Sequence, residues 1–350
     1  MTYVRNAWYV ASWGHDIAPG HVLGVHILNE PIVIWRNASG ELVAFEDRCI
    51  HRLAPLSLGR CEEGRLRCMY HGFLYDRSGC VVEIPGQARV SARLRLRSYP
   101  VVERHSWIWV WMADGASADD SLIPPVIGLD NPDYVLAHGQ LDYAAEGRLV
   151  IENLLDLSHL SFLHKDSFQV SDAWARESPK FSKHERSVRT ERWNRSEPVW
   201  LNPGELTDEY FLADFYVPGI LIVRDRFYPV GTADEWNGSE PRLEQPENAV
   251  NMHAVTPMTD RTTRYFFSVG SHRRGNGAEL DADLAVTRKG FAEDKLMIEA
   301  QQRVIDATPD ARFLSTRNDR GVILFNQILE RLAQAESGRL GGCSRPVSPA

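Results

Sequence analysis

Two short segments near the N-terminus each combine a cysteine with a histidine. Cys49 and His51 form the first pair, Cys68 and His71 form the second, and sixteen residues separate the pairs. This donor set suits tetrahedral zinc or a [2Fe–2S] cluster with two cysteines on one iron and two histidines on the other. Zinc fingers usually pair cysteine with cysteine and histidine with histidine. Here each segment carries one ligand of each kind, which favours the binuclear cluster over zinc.

A second group of polar residues lies within the apolar stretch at 153–164. Two histidines and a distant carboxylate form the facial triad of non-haem Fe(II) oxygenases, and His159 and His164 are the candidate histidines. Asn153, Asp156 and His159 recur every three residues, so they share one face of a helix. We therefore expect Asp156 to orient His159 by a hydrogen bond, with Asn153 beside it. His164 lies about 140° round an ideal helix from His159. The helix must therefore bend, bulge or end between the two histidines if both are to bind one iron.

The carboxylate of such a triad is expected on the long helical pattern at Ala282–Ala307. The apolar stripe of this pattern contains Phe291, Ile298 and Ile305. At about 100° per residue, Asp294 lies beside this stripe, whereas Glu293 and Glu299 lie further from it. Asp294 is therefore the predicted third iron ligand, and a solvated patch of charged residues at 293–295 is the alternative.

The elements that position these residues form a β-rich first third and a mixed remainder. Short β-branched and aromatic runs between Gly, Asn and Pro predict strands, at His21–Leu28, Pro31–Arg36, Glu41–Asp47, Val101-Val102 and Ser106–Met112. We expect a tight connection at Asn29-Glu30. Helical patterns predict helices at Leu149–Leu163, Ala282–Ala307 and Val322–Glu336.

The fold class that follows is α+β. A polar segment at Asp114–Asp120 marks the boundary between domains. We expect an all-β domain at 1–118, an α+β catalytic domain at 119–336 and a flexible tail at 337–350.

Composition excludes several classes of protein. The 350 residues are 43% hydrophobic and 25% charged, as expected of a globular chain of at least two domains. A formal net charge of -8 argues against sequence-independent nucleic-acid binding. We find neither a membrane-spanning run nor a signal peptide, and an odd cysteine count disfavours a disulfide framework. A cytoplasmic protein is expected, and Cys61, Cys80 and Cys343 have no assigned role.

The paired segments resemble a known signature. Cys49-Ile50-His51-Arg52 and Cys68-Met69-Tyr70-His71-Gly72 resemble the Cys-Pro-His-Arg and Cys-x-Tyr-His-Gly motifs of Rieske non-haem iron oxygenases, with Ile50 in place of proline. Respiratory-chain Rieske proteins carry two further cysteines, and Ala54 and Tyr70 stand at the corresponding positions. The stretch 153–164 resembles the same family's Asn-x₂-Asp-x₂-His-x₄-His element.

This resemblance implies more than the spacing does. The sequence from about 1 to 335 looks like the vanillate O-demethylase and dicamba monooxygenase branch, which implies a Rieske domain followed by a helix-grip-like catalytic domain. It implies a head-to-tail homotrimer in which Asp156 bridges His159 to His71 of a neighbouring subunit. It also implies O₂ as co-substrate and electrons from NAD(P)H through a separate flavin/ferredoxin-type reductase.

The substrate implied by the resemblance is a small aromatic acid that is O-demethylated or hydroxylated. His253 resembles a substrate-binding histidine of this branch, although an ordinary strand histidine is equally compatible. Arg224 and Arg226 share one strand face and offer cations for a substrate carboxylate, although a solvated face is the simpler interpretation. Ring cis-dihydroxylation and a Rieske electron carrier remain the alternative functions.

Overall fold

The computed structural model describes residues 3–37, 39–113, 115–198, 204–241, 247–272 and 277–340. These residues form two compact units. The N-terminal unit comprises Asn6–Ile123 and Thr256–Thr263, and the large unit comprises Met1–Arg5, Pro124–Val255 and Arg264–Ala350.

The N-terminal unit consists almost entirely of short strands. In chain order they are β1 Trp8–Trp13, β2 Val22–Ile27, β3 Glu30–Arg36, β4 Leu42–Glu46, β5 Arg60–Glu62, β6 Arg65–Arg67, β7 Leu74–Tyr75, β8 Val81–Glu83, β9 Ser98–Tyr99, β10 Val101–Arg104 and β11 Trp107–Trp111. They form three sheets with the orders β1-β11-β10, β2-β3-β4-β9 and β5-β6-β7-β8. Short 3-10 helices lie at Gly14–Asp16, Leu56–Leu58 and Asp120–Leu122.

The predicted strands of this unit are present with small shifts of their ends. The connection between β2 and β3 is a two-residue turn at Leu28 and Asn29, one residue earlier than expected, and both residues have positive φ, 52° and 66°. Two successive positive φ values are typical of the hairpin turn that matches the natural twist of paired strands. The strands β5 to β8 were not predicted, because runs of two or three residues carry no readable periodicity.

One hydrophobic core of this unit surrounds the two cysteines of the paired segments. Trp35 and Phe45 meet edge to face at 4.9 Å and are completely buried. Cys49 and Cys68 lie in the same cluster, with exposures of 2% and 1%. The thiols therefore pack into this core, although both cysteines lie on loops between strands.

The large unit is built on one seven-stranded sheet. Its strands are β12 Tyr134–Tyr143, β13 Lys180–Lys183, β14 Ser187–Pro198, β15 Leu206–Tyr216, β16 Ile220–Tyr228, β17 Ala249–Thr259 and β18 Thr262–His272. The spatial order is β12-β18-β17-β16-β15-β14-β13. The β13 to β17 strands are joined by antiparallel pairing, with Leu212 opposite Arg224 and Leu221 opposite His253.

Helices supply the rest of the large unit. They are α1 Gly147–Leu155, α2 Ala173–Arg176, α3 Thr232–Glu235, α4 Gly277–Ala307 and α5 Arg320–Leu340, with 3-10 turns at Leu157–Ser161 and Arg317–Asp319. The predicted helix at Leu149–Leu163 is wrong in its second half, because α1 ends at Leu155 and Asp156 has extended backbone angles. The predicted tail begins inside α5, which continues to Leu340, and residues 341–350 lie outside the described part of the chain.

Among the described residues, no helix combines the length and apolar character that crossing a bilayer requires.

Phe325 anchors α5 to the sheet and provides a test of this packing. Its ring is completely buried and meets Phe215 of β15 edge to face at 4.8 Å. We expect Phe325→Ala to lower the free energy of unfolding by about 3–5 kcal/mol, because a large buried ring is removed. Chemical denaturation measures the change. Phe313→Ala, at a ring that is 64% exposed, is the matched control and should cost less than about 1 kcal/mol. A similar loss for both variants would contradict this assignment.

Candidate metal centres and active site

The two Cys-His segments fold into loops of matching backbone geometry. In the first, the Cys49 N–H donates to the Ala54 carbonyl and the Leu53 N–H donates to the Cys49 carbonyl. In the second, the Cys68 N–H donates to the Phe73 carbonyl and the Gly72 N–H donates to the Cys68 carbonyl. Each loop thus closes on its own cysteine.

A left-handed residue makes each of these turns. Leu53 has φ 58° and Gly72 has φ 75°. A Cβ at Gly72 would lie 2.7 Å from Cγ of Pro85, so glycine is required there for space as well as for backbone conformation.

The loops bring both imidazoles together at the surface and both thiols together inside. The rings of His51 and His71 are exposed, and their centroids lie 4.6 Å apart. The buried Cys49 and Cys68 thiols are electrostatic neighbours, and burial together with Cys68 raises the pKa of Cys49. Two thiols on one side and two imidazoles on the other fit the donor arrangement of a Rieske [2Fe–2S] cluster.

Tyr75 is a residue of the cluster loops that the sequence analysis missed. Its hydroxyl lies 3.1 Å from Cys49 Sγ and accepts a hydrogen bond of 3.2 Å from the Ile50 N–H. With that hydrogen bond accepted, the hydroxyl proton is free to point at the sulfur. Burial, and then Cys49, raise the pKa of Tyr75, so the group remains a hydrogen-bond donor.

The histidines of the second site occupy the chain directly after α1. The helix stops at Leu155, and the Asp156 carboxylate accepts a hydrogen bond of 3.0 Å from the Ser158 N–H, which starts the 3-10 turn at Leu157–Ser161. This change of helix type brings the rings of His159 and His164 within 5.2 Å of each other. An interruption between His159 and His164 was expected. The α-helix instead ends before both histidines, at Leu155, and the 3-10 turn that follows ends between them, at Ser161.

The hydrogen bonds of the two histidines leave the same nitrogen of each ring available. His159 Nδ1 lies 2.6 Å from the carbonyl oxygen of Asp156, which can only accept, so Nδ1 carries the proton. His164 Nδ1 lies 2.9 Å from Glu293 Oε2. Both Nε2 atoms then present a lone pair to a metal.

Asp294 of α4 meets these Nε2 atoms. Its Oδ1 lies 3.1 Å from His164 Nε2 and 3.5 Å from His159 Nε2. One ligand atom from each of the three residues lies within 4.8 Å of the others. Adjacent ligand atoms of an octahedral metal stand about 3 Å apart when each bond is about 2.1 Å, so the three residues fit one metal ion. Asn153 Nδ2 donates to Asp294 Oδ1 at 3.0 Å and supports this arrangement.

The electrostatics of the two histidines differ. Burial lowers the pKa of His159. Burial also opposes the charged form of His164, but hydrogen bonds with Asp294 and Glu293 outweigh it and raise the pKa of His164. The carboxylates therefore stabilise positive charge at this position.

Glu293 is a second residue that the sequence analysis missed. Besides His164, its Oε2 accepts a hydrogen bond of 2.6 Å from the Ser167 hydroxyl. Burial disfavours its ionised form, but the hydrogen bonds from Ser167 and His164 prevail and lower the pKa of Glu293. A carboxylate on the remote nitrogen of a metal-binding histidine fixes the tautomer and orients the ring.

Asp156 contributes differently from what the sequence suggested. We expected its carboxylate to orient His159, but the backbone carbonyl makes this hydrogen bond and the carboxylate caps the 3-10 turn. Its side chain is half-buried. The predicted bridge to His71 of a neighbouring subunit concerns a second copy of the chain and stays a prediction.

A cavity of about 150 Å³ opens onto the three candidate ligands. Most of its wall is apolar, from Leu154, Leu157, Leu160, Phe168, Val170, Trp174, Phe211, Leu221, Val223 and Phe291. His253 also lines it, and its Nδ1 lies 2.6 Å from the Tyr265 hydroxyl. Complete burial lowers the pKa of His253 to about 3, so this imidazole is neutral.

The two arginines considered as substrate cations do not line this cavity. Arg224 pairs with Asp214 at 3.1 Å and Arg226 pairs with Glu247 at 2.9 Å. Neighbouring Val223 and Asp225 do line it. Because side chains alternate across a strand, the arginines belong to the opposite face of the sheet. Of the other cysteines, Cys61 and Cys80 are free thiols and Cys343 lies outside the described residues.

The fold and the two donor sets define a Rieske non-haem iron oxygenase. Residues 7–100 match the Rieske [2Fe-2S] domain, and residues 143–335 match the vanillate O-demethylase oxygenase C-terminal domain. The chain therefore belongs to the vanillate O-demethylase oxygenase family, and the α+β fold class predicted from the sequence is confirmed.

Similar proteins extend over nearly the whole chain. The iron-sulfur subunit of the toluene-4-sulfonate monooxygenase system of Comamonas testosteroni is 32% identical, covering 96% of this chain and 99% of that protein. A vanillate O-demethylase oxygenase subunit of Pseudomonas sp. (strain HR199 / DSM 7063) is 33% identical, covering 95% and 96%. The crystal structure of dicamba monooxygenase bound to dicamba superposes with a TM-score of 0.82 at 28% identity, covering 97% of this chain and 100% of that one.

Tyr75→Phe tests the hydroxyl at the cluster loops. Removing a hydrogen bond to a cysteine ligand leaves more negative charge on sulfur, so we expect a lower reduction potential with the cluster retained. Stability should fall by about 1 kcal/mol. Redox titration followed by visible absorption gives the potential, and Tyr70→Phe, at an exposed ring, is the control. An unchanged potential in Tyr75→Phe would count against a hydrogen bond to the cluster.

Glu293→Gln tests the support of His164. The amide keeps the shape but loses the charge that holds the Nδ1 proton, and we expect iron affinity to fall about 10–100-fold. Competition with a chelator, followed by metal analysis, measures this. The control is Glu330→Gln at an exposed position of α5, which should bind iron like the wild type. Equal affinity in all three proteins would remove Glu293 from the site.

Proposed function

We propose that this chain is an oxygenase component that O-demethylates or hydroxylates a small substituted aromatic compound, with O₂ as co-substrate. Electrons come from NAD(P)H through a separate flavin/ferredoxin-type reductase. The resemblance to the vanillate O-demethylase branch favours an aromatic acid. The observation that carries the proposal is the position of His159, His164 and Asp294 at the wall of a small apolar cavity.

The cavity sets the size and nature of the substrate. A volume of about 150 Å³ is of the order that accommodates a benzene-sized molecule in an apolar protein interior. Phe291 of α4 lines this space, and its ring packs edge to face against Phe267 at 4.8 Å. A wall of this kind favours a single substituted ring and excludes water from it.

His159, His164 and Asp294 would hold one iron. When bound, this iron would use the incoming electrons to activate O₂. The protein's part is to keep both Nε2 atoms unprotonated and pointing at Asp294. The Asp156 carbonyl does this for His159 and Glu293 does it for His164. Asn153 fixes the carboxylate by its hydrogen bond to Oδ1.

Cys49, Cys68, His51 and His71 would hold the [2Fe–2S] cluster, which stores the incoming electrons. Exposed imidazoles next to buried thiols leave the histidine side as the accessible edge of this site. We further propose a homotrimer in which this edge faces the iron site of a neighbouring subunit through Asp156. The resemblance of 153–164 to the family element supports this part.

His253 is proposed to contact the substrate. Its Nδ1 lies within hydrogen-bond distance of the Tyr265 hydroxyl, and its side chain lines the cavity beside Phe291. A neutral imidazole can donate or accept one further hydrogen bond without bringing charge into an apolar space.

Asp294→Ala separates an oxygenase from an electron carrier. Without the carboxylate we expect iron to be lost and product formation to fall by at least about 10³-fold, while the cluster spectrum stays. Product analysis with a surrogate reductase measures this. Asp281→Ala, at an exposed position of the same helix, should remain active. A fully active Asp294→Ala variant would contradict the iron site.

The products distinguish the two oxygenase reactions. Oxidation at a methoxy carbon gives a hemiacetal that collapses to formaldehyde and a phenol, whereas ring dihydroxylation gives a cis-diol. We expect formaldehyde in proportion to the O₂ consumed across a panel of methoxyarenes. Formation of cis-diol without formaldehyde would favour the dioxygenase alternative.

A further inference from the structure

We propose that the substrate presents a hydrogen-bond donor, an N–H or O–H group that is neutral or cationic, to Asp225 and Glu209 in the cavity wall, rather than a carboxylate. This inference rests on the oxygenase function proposed above and assigns the polar group of its substrate. It departs from the aromatic acid that the sequence resemblance favours.

The sheet directs both acids to the cavity. Leu221, Val223 and Asp225 are alternate residues of β16, and all three line the cavity. Glu209 and Phe211 do the same from β15, where Phe211 pairs with Asp225. Side chains at alternate positions point to one face of a sheet, so this face carries two carboxyl groups at the end of an otherwise apolar row.

Asp225 is buried without a satisfying partner. Its residue is 3% exposed, and Oδ1 has no hydrogen-bond partner among the described residues. Burial, and then the neighbouring Glu209, raise the pKa of Asp225 well above its usual value. A buried polar atom without a partner destabilises the fold, so a residue of this kind indicates a ligand that supplies the missing hydrogen bond.

Glu209 accepts a hydrogen bond from a neutral side chain. Asn194 Nδ2 donates to Glu209 Oε2 at 2.7 Å. Burial raises the pKa of Glu209 to about 7, although the hydrogen bond from Asn194 and the charge of Arg192 both act to lower this pKa. The two acids together therefore favour a donor or a positive charge from a ligand over any further negative charge.

No lysine or arginine is among the described residues that line the cavity. Glu197 is a further acidic residue of its wall, besides Asp225, Glu209 and the candidate ligand Asp294. The guanidinium of buried Arg192 lies 4.3 Å from the Trp174 ring centroid, and its nitrogens donate to the carbonyls of Trp174 and Ala173. A substrate carboxylate near Asp225 would thus add a buried negative charge where burial already disfavours ionisation of Asp225 and Glu209, and no lysine or arginine among the described residues lines the cavity to compensate it.

Four matched probes test this assignment by calorimetric binding to the anaerobic holoenzyme. 4-Methoxybenzylamine carries a cationic donor, 4-methoxybenzamide a neutral donor, 4-methoxybenzoate an anion, and methyl 4-methoxybenzoate no donor. We expect at least one donor-bearing probe to bind about 10-fold tighter or more than the benzoate, because Asp225 Oδ1 has no partner among the described residues and can accept its hydrogen bond, whereas the benzoate carboxylate brings only acceptors. The amine and the amide show whether positive charge is needed.

Asp225→Asn and Glu209→Gln connect the preference to these residues. Each replaces a carboxylate by an amide of the same shape, so we expect the advantage of the donor-bearing probe over the benzoate to fall about 10-fold. Glu205→Gln, at an exposed position just before β15, is the matched control and should keep the wild-type preference. Asp225→Leu should unfold at the same temperature as the wild type or higher, because an unsatisfied buried carboxyl is removed.

Several outcomes would overturn the inference. The benzoate could bind most tightly, or all four probes could bind equally or not at all. The preference could also be unchanged in Asp225→Asn. A lowered unfolding temperature of Asp225→Leu would show that Asp225 has a structural role. Asp294→Ala keeps the acids of β15 and β16, so its probe preference should match the wild type even where product formation is lost. Binding without turnover would therefore contradict the proposed function and leave this inference standing.

Discussion

The burial of Asp294 between two imidazoles is the constraint around which the large unit is arranged. Its residue is 5% exposed and lies beside an apolar cavity, where an isolated carboxylate would be strongly destabilised. Oδ1 is held by Asn153 and faces the Nε2 atoms of His159 and His164. A divalent cation held at this point would compensate the charge, which the apolar wall cannot do.

This constraint is met by two helices, one that ends at the site and one that passes it. The α1 helix ends at Leu155, and the carbonyl of Asp156 just beyond it accepts a hydrogen bond from His159 Nδ1. The α4 helix continues across the site and supplies neighbouring residues, Glu293 and Asp294, to opposite nitrogens of His164. The end of α1 and the middle of α4 thus orient the rings of His159 and His164 together. The backbone carbonyl of Asp156 orients one ring, and side chains of α4 orient the other.

The sequence predicted the parts of this arrangement that depend on periodicity and motif. The helical wheel placed Asp294 beside the apolar stripe of Phe291 and Ile298, and all three are buried. The paired cysteines and histidines occupy matching loops, as their spacing indicated. These features could be predicted because they depend on the types of the residues and on their spacing, and the sequence shows both.

Other parts were not readable because they depend on contacts between distant segments. Glu293 lies away from the stripe on the wheel, yet it binds His164 from 129 residues further along the chain. The role of the Asp156 carbonyl has no signature, since every residue has a carbonyl. Asp225 lies between two arginines and received no assignment from the sequence, because only its pairing with β15 and its place in the cavity wall show which face it occupies.

The alternation of β16 separates two kinds of chemistry by a single residue step. Arg224 and Arg226 are engaged in ion pairs on one side, while Val223 and Asp225 face the cavity on the other. Because side chains at alternate positions point to opposite faces of the sheet, a substitution at Val223 or Asp225 changes the cavity wall without removing Arg224 or Arg226. Substitutions at the cavity-facing positions of β16 can therefore alter the shape and polarity of the cavity wall while the ion pairs on the other face of the sheet remain.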